Sequence, residues 1–246
     1  MATDAQIPTK IQPEPSPRPR LFLLAPWWHT AILVIVLLTV SINGTRASQP
    51  VVGEHKLGQY LWTMGLEWSL VAYIWIGIRK RVSLGELVGG RWAKPEDFFL
   101  DVVYAAVFWV AAMFVLGVAA KLMHLDQVGK IESMRKQISF LAPGTNLELA
   151  VWFGLSWTAG FCEEIIFRGY LQRQLAIGGS ALTGIVLSAM VFGASHGYEG
   201  PARMFLIAIY GLMFGLLAWR RKSLRPGMIA HAWHDSLSGA VLRMLK

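Results

Sequence analysis

The chain has 246 residues, of which 54% are hydrophobic and only 15% charged, where an ordinary soluble domain carries about 25% charged residues. The deficit is concentrated in long apolar runs, the pattern of membrane spans. The formal charge of +8 is scattered between those runs rather than gathered on one face, which fits the positive-inside rule and argues against nucleic acid as a partner. A single cysteine, Cys162, excludes an intrachain disulfide and any cysteine-rich zinc site.

Residues 1–26 read as a disordered cytoplasmic tail, because Pro13, Pro15, Pro17 and Pro19 forbid regular helix. The tail is polar, and no small-residue cleavage site follows the first apolar stretch, so that stretch reads as a retained span rather than a signal peptide. A run of about 20 apolar residues crosses the hydrocarbon core. On that measure the spans are Pro26 to Ile42, Tyr60 to Ile78, Phe98 to Leu122, a charge-interrupted one from Leu147 to Leu175, Ser180 to His196, Ala202 to Trp219, and Pro226 to Leu245. The expected fold is an all-α, polytopic transmembrane bundle of about seven spans (six to eight), with N-terminal helices over 27–144 and a helical core over 145–246. Arg79, Lys80, Arg81, Arg91 and Lys94 follow the second span, Arg168 and Arg173 lie late in the fourth, and Arg220, Arg221, Lys222 and Arg225 follow the sixth. All three groups share a side if the N-terminus is cytoplasmic; the Lys121–Lys136 segment is the exception. Localisation is therefore expected in the cell membrane, multi-pass, N-terminus inside. No internal repeat is evident, and Gly211 with Gly215 reads as a close-packing pair.

Ionisable residues inside a span cost a few kcal/mol each and ask for an explanation. Three groups stand out, all in the second half. In Phe161-Cys162-Glu163-Glu164-Ile165-Ile166-Phe167-Arg168 the adjacent carboxylates point about 100° apart on a helix. Glu164 and Arg168, one turn apart, are placed to pair, which leaves Glu163 free for general-base chemistry. The second group is Phe192-Gly193-Ala194-Ser195-His196, and the third His231-Ala232-Trp233-His234-Asp235, where His231 and Asp235 share a face. His29, His55 and His124 read as interfacial, Cys162 as a small packing residue, and Ser195 as pointing away from the His196 face.

Glu-Glu-x-x-x-Arg, Phe-x-x-x-His and His-x-x-x-Asp, in that order over roughly residues 145–242, resemble the CPBP family of type II CAAX prenyl endopeptidases and bacteriocin-processing or self-immunity proteins. The flanks Phe167-Arg168-Gly169-Tyr170-Leu171 and Ser223-Leu224-Arg225-Pro226-Gly227 agree with it. The resemblance implies that Glu163 activates a water with help from His196, that His231 and Asp235 lie near the oxyanion, and that Arg168 holds Glu164 or a substrate carboxylate. It also implies Glu163, His196 and His231 as ligands wherever a zinc ion is held. The chain lacks His-Glu-x-x-His, and the family also admits a metal-free glutamate mechanism. Asp235 departs from the asparagine of the prenyl-endopeptidase branch: an ionised Asp repels an oxyanion that an Asn amide would bind, so Asp235 is either protonated or an orienting partner of His231, the latter preferred.

The function this implies is an intramembrane endopeptidase, metallo- or glutamate-dependent. It would act on membrane-associated or CAAX-like peptide substrates in a hydrated cavity, placed on the cytoplasmic side by Arg168 and the basic loops. The competing readings are a proton-coupled transporter and a non-catalytic immunity or scaffold protein.

Overall fold

The computed structural model describes residues 23–47 and 56–244; most of the N-terminal tail, His55 and the tail cations Lys10, Arg18 and Arg20 lie outside the described residues. Among the described residues the chain is helical and has no strand. In order come α1 (Trp27–Ala47), α2 (Leu57–Ile78), α3 (Leu84–Val88), α4 (Pro95–Leu122), α5 (Val128–Ile138), α6 (Asn146–Glu163), α7 (Gln172–Leu175), α8 (Ala181–Ser195), α9 (Pro201–Arg221) and α10 (Arg225–Met244). A π-helical stretch, Glu164–Leu171, joins α6 to α7 without a break.

Local chemistry sets several of the starts. Thr145 caps α6: its hydroxyl accepts from the Glu148 amide at 3.1 Å while the Glu148 carboxylate takes the amides of Gly144 at 2.6 Å and Thr145 at 3.1 Å. The other Glu148 oxygen accepts from the Lys56 amide at 2.9 Å, so one buried carboxylate ties the start of α2 to the start of α6. Ser180 caps α8 and Ser83 caps α3 in the same manner. Pro95 and Pro201 open α4 and α9, where a missing N–H costs nothing.

Among the described residues four helices are long and apolar enough to cross a membrane: α1, α2, α4 and α9. Helix α8 is apolar but only 15 residues long, and α6 and α10 are interrupted by the charged groups that the sequence singles out. The expectation of about seven spans therefore holds in full only for those four. Segments 84–88 and 128–138, read as loops from sequence, carry the short helices α3 and α5; Glu132 and Arg135 pair on α5 at 2.8 Å.

Long-range hydrogen bonds gather the basic loops at one end of the bundle. Arg81 donates to the Leu23 carbonyl, Arg173 to Leu87 O at 3.0 Å, and the Leu224 amide to Val88 O at 2.9 Å. Gln174 closes this end by accepting from Leu24 N at 2.9 Å and donating to Ala25 O at 2.6 Å. His29 is buried rather than interfacial, with Nδ1 3.0 Å from the Tyr170 hydroxyl, Nε2 3.1 Å from Tyr73 O, and its ring stacked on Tyr73. It pins α1 and α2 to the π-helical stretch.

Helices α6 and α10 approach until their backbones nearly touch: a Cβ on Gly160 would lie 2.7 Å from Met228 O and 2.8 Å from Ala232 N. Gly211 and Gly215 do the same for α9. The Gly211 carbonyl accepts from Arg168 Nη2 at 3.2 Å and the Gly215 carbonyl from Gln172 Nε2 at 3.2 Å, contacts that a side chain at either glycine would obstruct.

Candidate active site

The end of α6, its π-helical continuation, the C-terminus of α8 and the first half of α10 bring Glu163, Glu164, Arg168, His196, His231 and Asp235 into one cluster. A π-helical turn closes i→i+5 hydrogen bonds and occurs most often at functional sites; here it begins at Glu164, immediately after Glu163.

The two adjacent acids have separate surroundings. Glu164 is enclosed: Oε1 accepts from Arg168 Nη1 at 3.0 Å and lies 3.2 Å from His231 Nδ1, and both members of the Glu164–Arg168 pair are 1% exposed. Arg168 is further held by the Gly211 carbonyl and by aromatic faces, its guanidinium carbon 4.2 Å from the Phe192 ring centroid and 5.0 Å from that of Phe214. So enclosed, Arg168 holds Glu164 and is out of reach of a substrate carboxylate.

Glu163 sits in the more open part of the cluster, 16% exposed, with Oε1 3.9 Å from His196 Nε2 and Oε2 3.6 Å from His231 Nε2. Neither is a direct hydrogen bond, and Oε2 is a buried acceptor without a partner. His196, at the C-terminus of α8, presents Nδ1 to the Phe192 carbonyl at 2.8 Å. A carbonyl only accepts, so Nδ1 carries a proton, and Nε2 faces Glu163. The Phe192-x-x-x-His196 spacing thus fixes the tautomer through its backbone rather than through the phenyl ring. Ser195 donates to the same carbonyl at 2.8 Å and is spent there. Cys162 is fully buried in the apolar core.

His231 is oriented by Glu164 through Nδ1, not by Asp235 as the sequence suggested. Asp235 Oδ2 lies 3.6 Å from Nε2, too far for a hydrogen bond, and is the most open of these carboxylates at 30% exposure. The imidazole stacks on Phe214 at 5.2 Å, and the Asp235 backbone carbonyl accepts from Trp152 Nε1 at 2.8 Å.

Glu67, which the sequence reading passed over, is buried in α2 with an unpartnered Oε2. It lies close enough to Glu163 and Asp235 for their charges to interact. The signal was available: a lone acid in the middle of an apolar run.

The donor chemistry suits a metal in one respect, since both imidazoles have Nδ1 engaged and Nε2 turned toward Glu163. Against that, no group of three His, Cys, Asp or Glu side chains that could hold a metal ion is found among the described residues.

Fold and site together define a polytopic helical membrane protein with an acid–imidazole cluster set among its later helices. Residues 144–237 match the family model described as Type II CAAX prenyl endopeptidase Rce1-like, a match consistent with the CPBP/CAAX protease family and with intramembrane endopeptidase activity in general. No curated protein and no solved structure matches the chain.

Proposed function

We propose that the chain is an intramembrane endopeptidase in which Glu163 is the general base. The observation that carries this reading is the contrast between the neighbouring acids: Glu164 is consumed by Arg168 and His231, while the Glu163 carboxylate stands between two imidazole Nε2 atoms, Oε1 toward His196 and an unpartnered Oε2 toward His231. The 3.9 Å between Glu163 Oε1 and His196 Nε2 is a gap that a water roughly 2.8 Å from each atom bridges. Glu163 takes a proton from that water as its oxygen attacks the scissile carbonyl carbon. His231, with Nδ1 donating to Glu164 and a second proton on Nε2, donates from Nε2 to the resulting oxyanion. Glu163 then returns the proton to the amide nitrogen, the C–N bond breaks, and a carboxylic acid and an amine leave.

On this reading Arg168 and Glu164 are positioning residues that act through His231. Asp235 stands at the mouth of the hollow, beside Nε2. Helices α6 with its continuation, α8 and α10 complete the seven spans around the cavity, which must admit both water and an extended peptide. Exposure rises from Arg168 through Glu163 to Asp235, so the cluster opens on its Asp235 side. Substrates are membrane-associated peptides; prenylation has no residue pattern in this chain to argue it.

Mass spectrometry of membrane peptides from cells carrying wild-type or Glu163→Gln protein tests the proposal. Products present with wild type and missing with Glu163→Gln are expected, with a general base contributing about 10²–10⁴-fold to the rate. Cleavage by the purified variant at the wild-type rate would overturn the assignment, and a cellular phenotype preserved in Glu163→Ala would favour the scaffold reading.

A further inference from the structure

A cavity of about 500 Å³ opens on the outer side of the α6–α10 seam, apart from the acid–imidazole cluster. Its wall is apolar and aromatic: Trp157 and Phe161, one turn apart and both exposed on α6, with Met228 and Ile229 of α10. Its other end is basic, formed by Arg225 and by Arg91 of the α3–α4 loop.

The charges at that end do not balance. Asp101 is the buried acid there; Arg225 Nε reaches it at 3.2 Å, Arg221 Nη2 at 3.4 Å and Trp92 Nε1 at 2.8 Å. Two guanidinium groups on one carboxylate leave one positive charge, and Arg91, with no ion pair among the described residues, adds another. Arg225, which lines the cavity, has a donor, Nη1, with no acceptor. An unsatisfied donor on a cation calls for an anion with several oxygens.

We propose that this cavity binds one anionic phospholipid, its phosphate at Arg91 and Arg225 and an acyl chain along Trp157, Phe161 and Ile229. A soluble anion would have no use for the apolar half, which extends along α6 to within two residues of Glu163. A zwitterionic lipid would leave the excess positive charge uncompensated. The location agrees: the basic end of the bundle is where loops meet lipid headgroups, and Trp92 beside the cavity is a side chain suited to that level. The volume lies within the roughly 300–1,000 Å³ usual for a small-ligand pocket. The occupant would press on α6 and α10 at the seam where Gly160 meets Met228, and so brace the two helices that carry Glu163 and His231. The inference stands whether or not the chain is a peptidase.

The test uses the full chain purified in detergent and titrated with dioleoylphosphatidylglycerol or with dioleoylphosphatidylcholine of identical chains. Native mass spectrometry counts bound lipid and thermal unfolding reports the effect. One phosphatidylglycerol per chain, saturable and at least tenfold tighter than phosphatidylcholine, is expected, with a rise in melting temperature that phosphatidylcholine does not give. Arg91→Gln, which leaves the Asp101 cluster intact, weakens that binding about fivefold, the effect of one basic side chain at an anionic lipid surface. Ile229→Trp fills the apolar half and lowers retention without touching the charges. Equal binding of the two lipids, unsaturable binding, or an unchanged affinity in both variants would each overturn the proposal. So would full displacement of the lipid by inorganic phosphate, since the site would then recognise an anion alone.

Discussion

The Glu164–Arg168 pair gives the sharpest quantitative prediction. Arg168→Met removes a charge-assisted hydrogen bond at 3.0 Å, a second to the Gly211 carbonyl at 3.2 Å, and the cation over Phe192 at 4.2 Å. It also strands Glu164 with His231 Nδ1 as its remaining partner. Breaking one side of a buried ion pair costs about 3–5 kcal/mol, and at 1% exposure there is no solvent to soften the loss. Glu164→Gln alone strands the arginine and costs a similar amount. Removing both leaves no unpaired charge, so the double variant is expected to lose less than the sum of the singles by roughly 1.5–3 kcal/mol. The assay is a double-mutant cycle: denaturant unfolding of the four full-length proteins in detergent micelles, followed by the fluorescence of their tryptophans. Additivity within about 0.5 kcal/mol would refute the claim that the two side chains are one buried unit. The same cycle separates the neighbouring acids, because Glu163→Gln, with no hydrogen bond to lose, leaves the unfolding midpoint where it was while peptide cleavage falls.

Three further outcomes follow from the geometry. Asp235→Asn keeps peptidase activity, since Glu164 rather than Asp235 fixes the His231 ring; a loss as deep as that of Glu163→Gln in the same cleavage assay would show that the Asp235 carboxylate is itself required. Gly160→Val forces a side chain against Met228 O and Ala232 N, 2.7 and 2.8 Å from the first added carbon, and costs about 1–3 kcal/mol by overpacking; wild-type melting behaviour would mean that the α6–α10 seam is looser than described. Cleavage is expected to persist after dialysis against a strong zinc chelator, because the proposed mechanism needs only Glu163, a water and the His231 donor; loss on chelation and recovery on adding zinc would assign Glu163, His196 and His231 the role of metal ligands.

Much of the site was legible because intramembrane charge is rare and therefore conspicuous. Glu163, Glu164, Arg168, His196, His231 and Asp235 could be picked out, and the pairing of Glu164 with Arg168 could be anticipated from their separation by one turn. What held His231 could not. That contact crosses from α10 to the π-helical stretch, and no spacing within one helix reports it. The π-helical turn was equally hidden, since its hydrogen-bond shift depends on what packs around Glu164–Leu171 rather than on any residue within it. Glu67 was missed for a different reason: a lone acid within the apolar run of α2 has no partner near it in the sequence, and its neighbours appear only once α2 is seen packed beside α6. The membrane reading was clear for α1, α2, α4 and α9, where apolar length speaks for itself. It was weaker for α6, α8 and α10, whose polar side chains or short length are what the cluster requires.

The shortness of α8 bears on how a peptide would reach the proposed site. Fifteen residues rise about 22 Å, well under the roughly 30 Å of a hydrocarbon core. A helix of that length starting at one headgroup layer would end short of the other, leaving the turn that follows, Gly197–Glu199, where a bilayer thins to meet a short apolar stretch. Such thinning would shorten the distance a substrate segment travels from the aqueous phase and strip part of its helix of apolar cover, which would make the segment easier to unwind at the place where an extended backbone is needed.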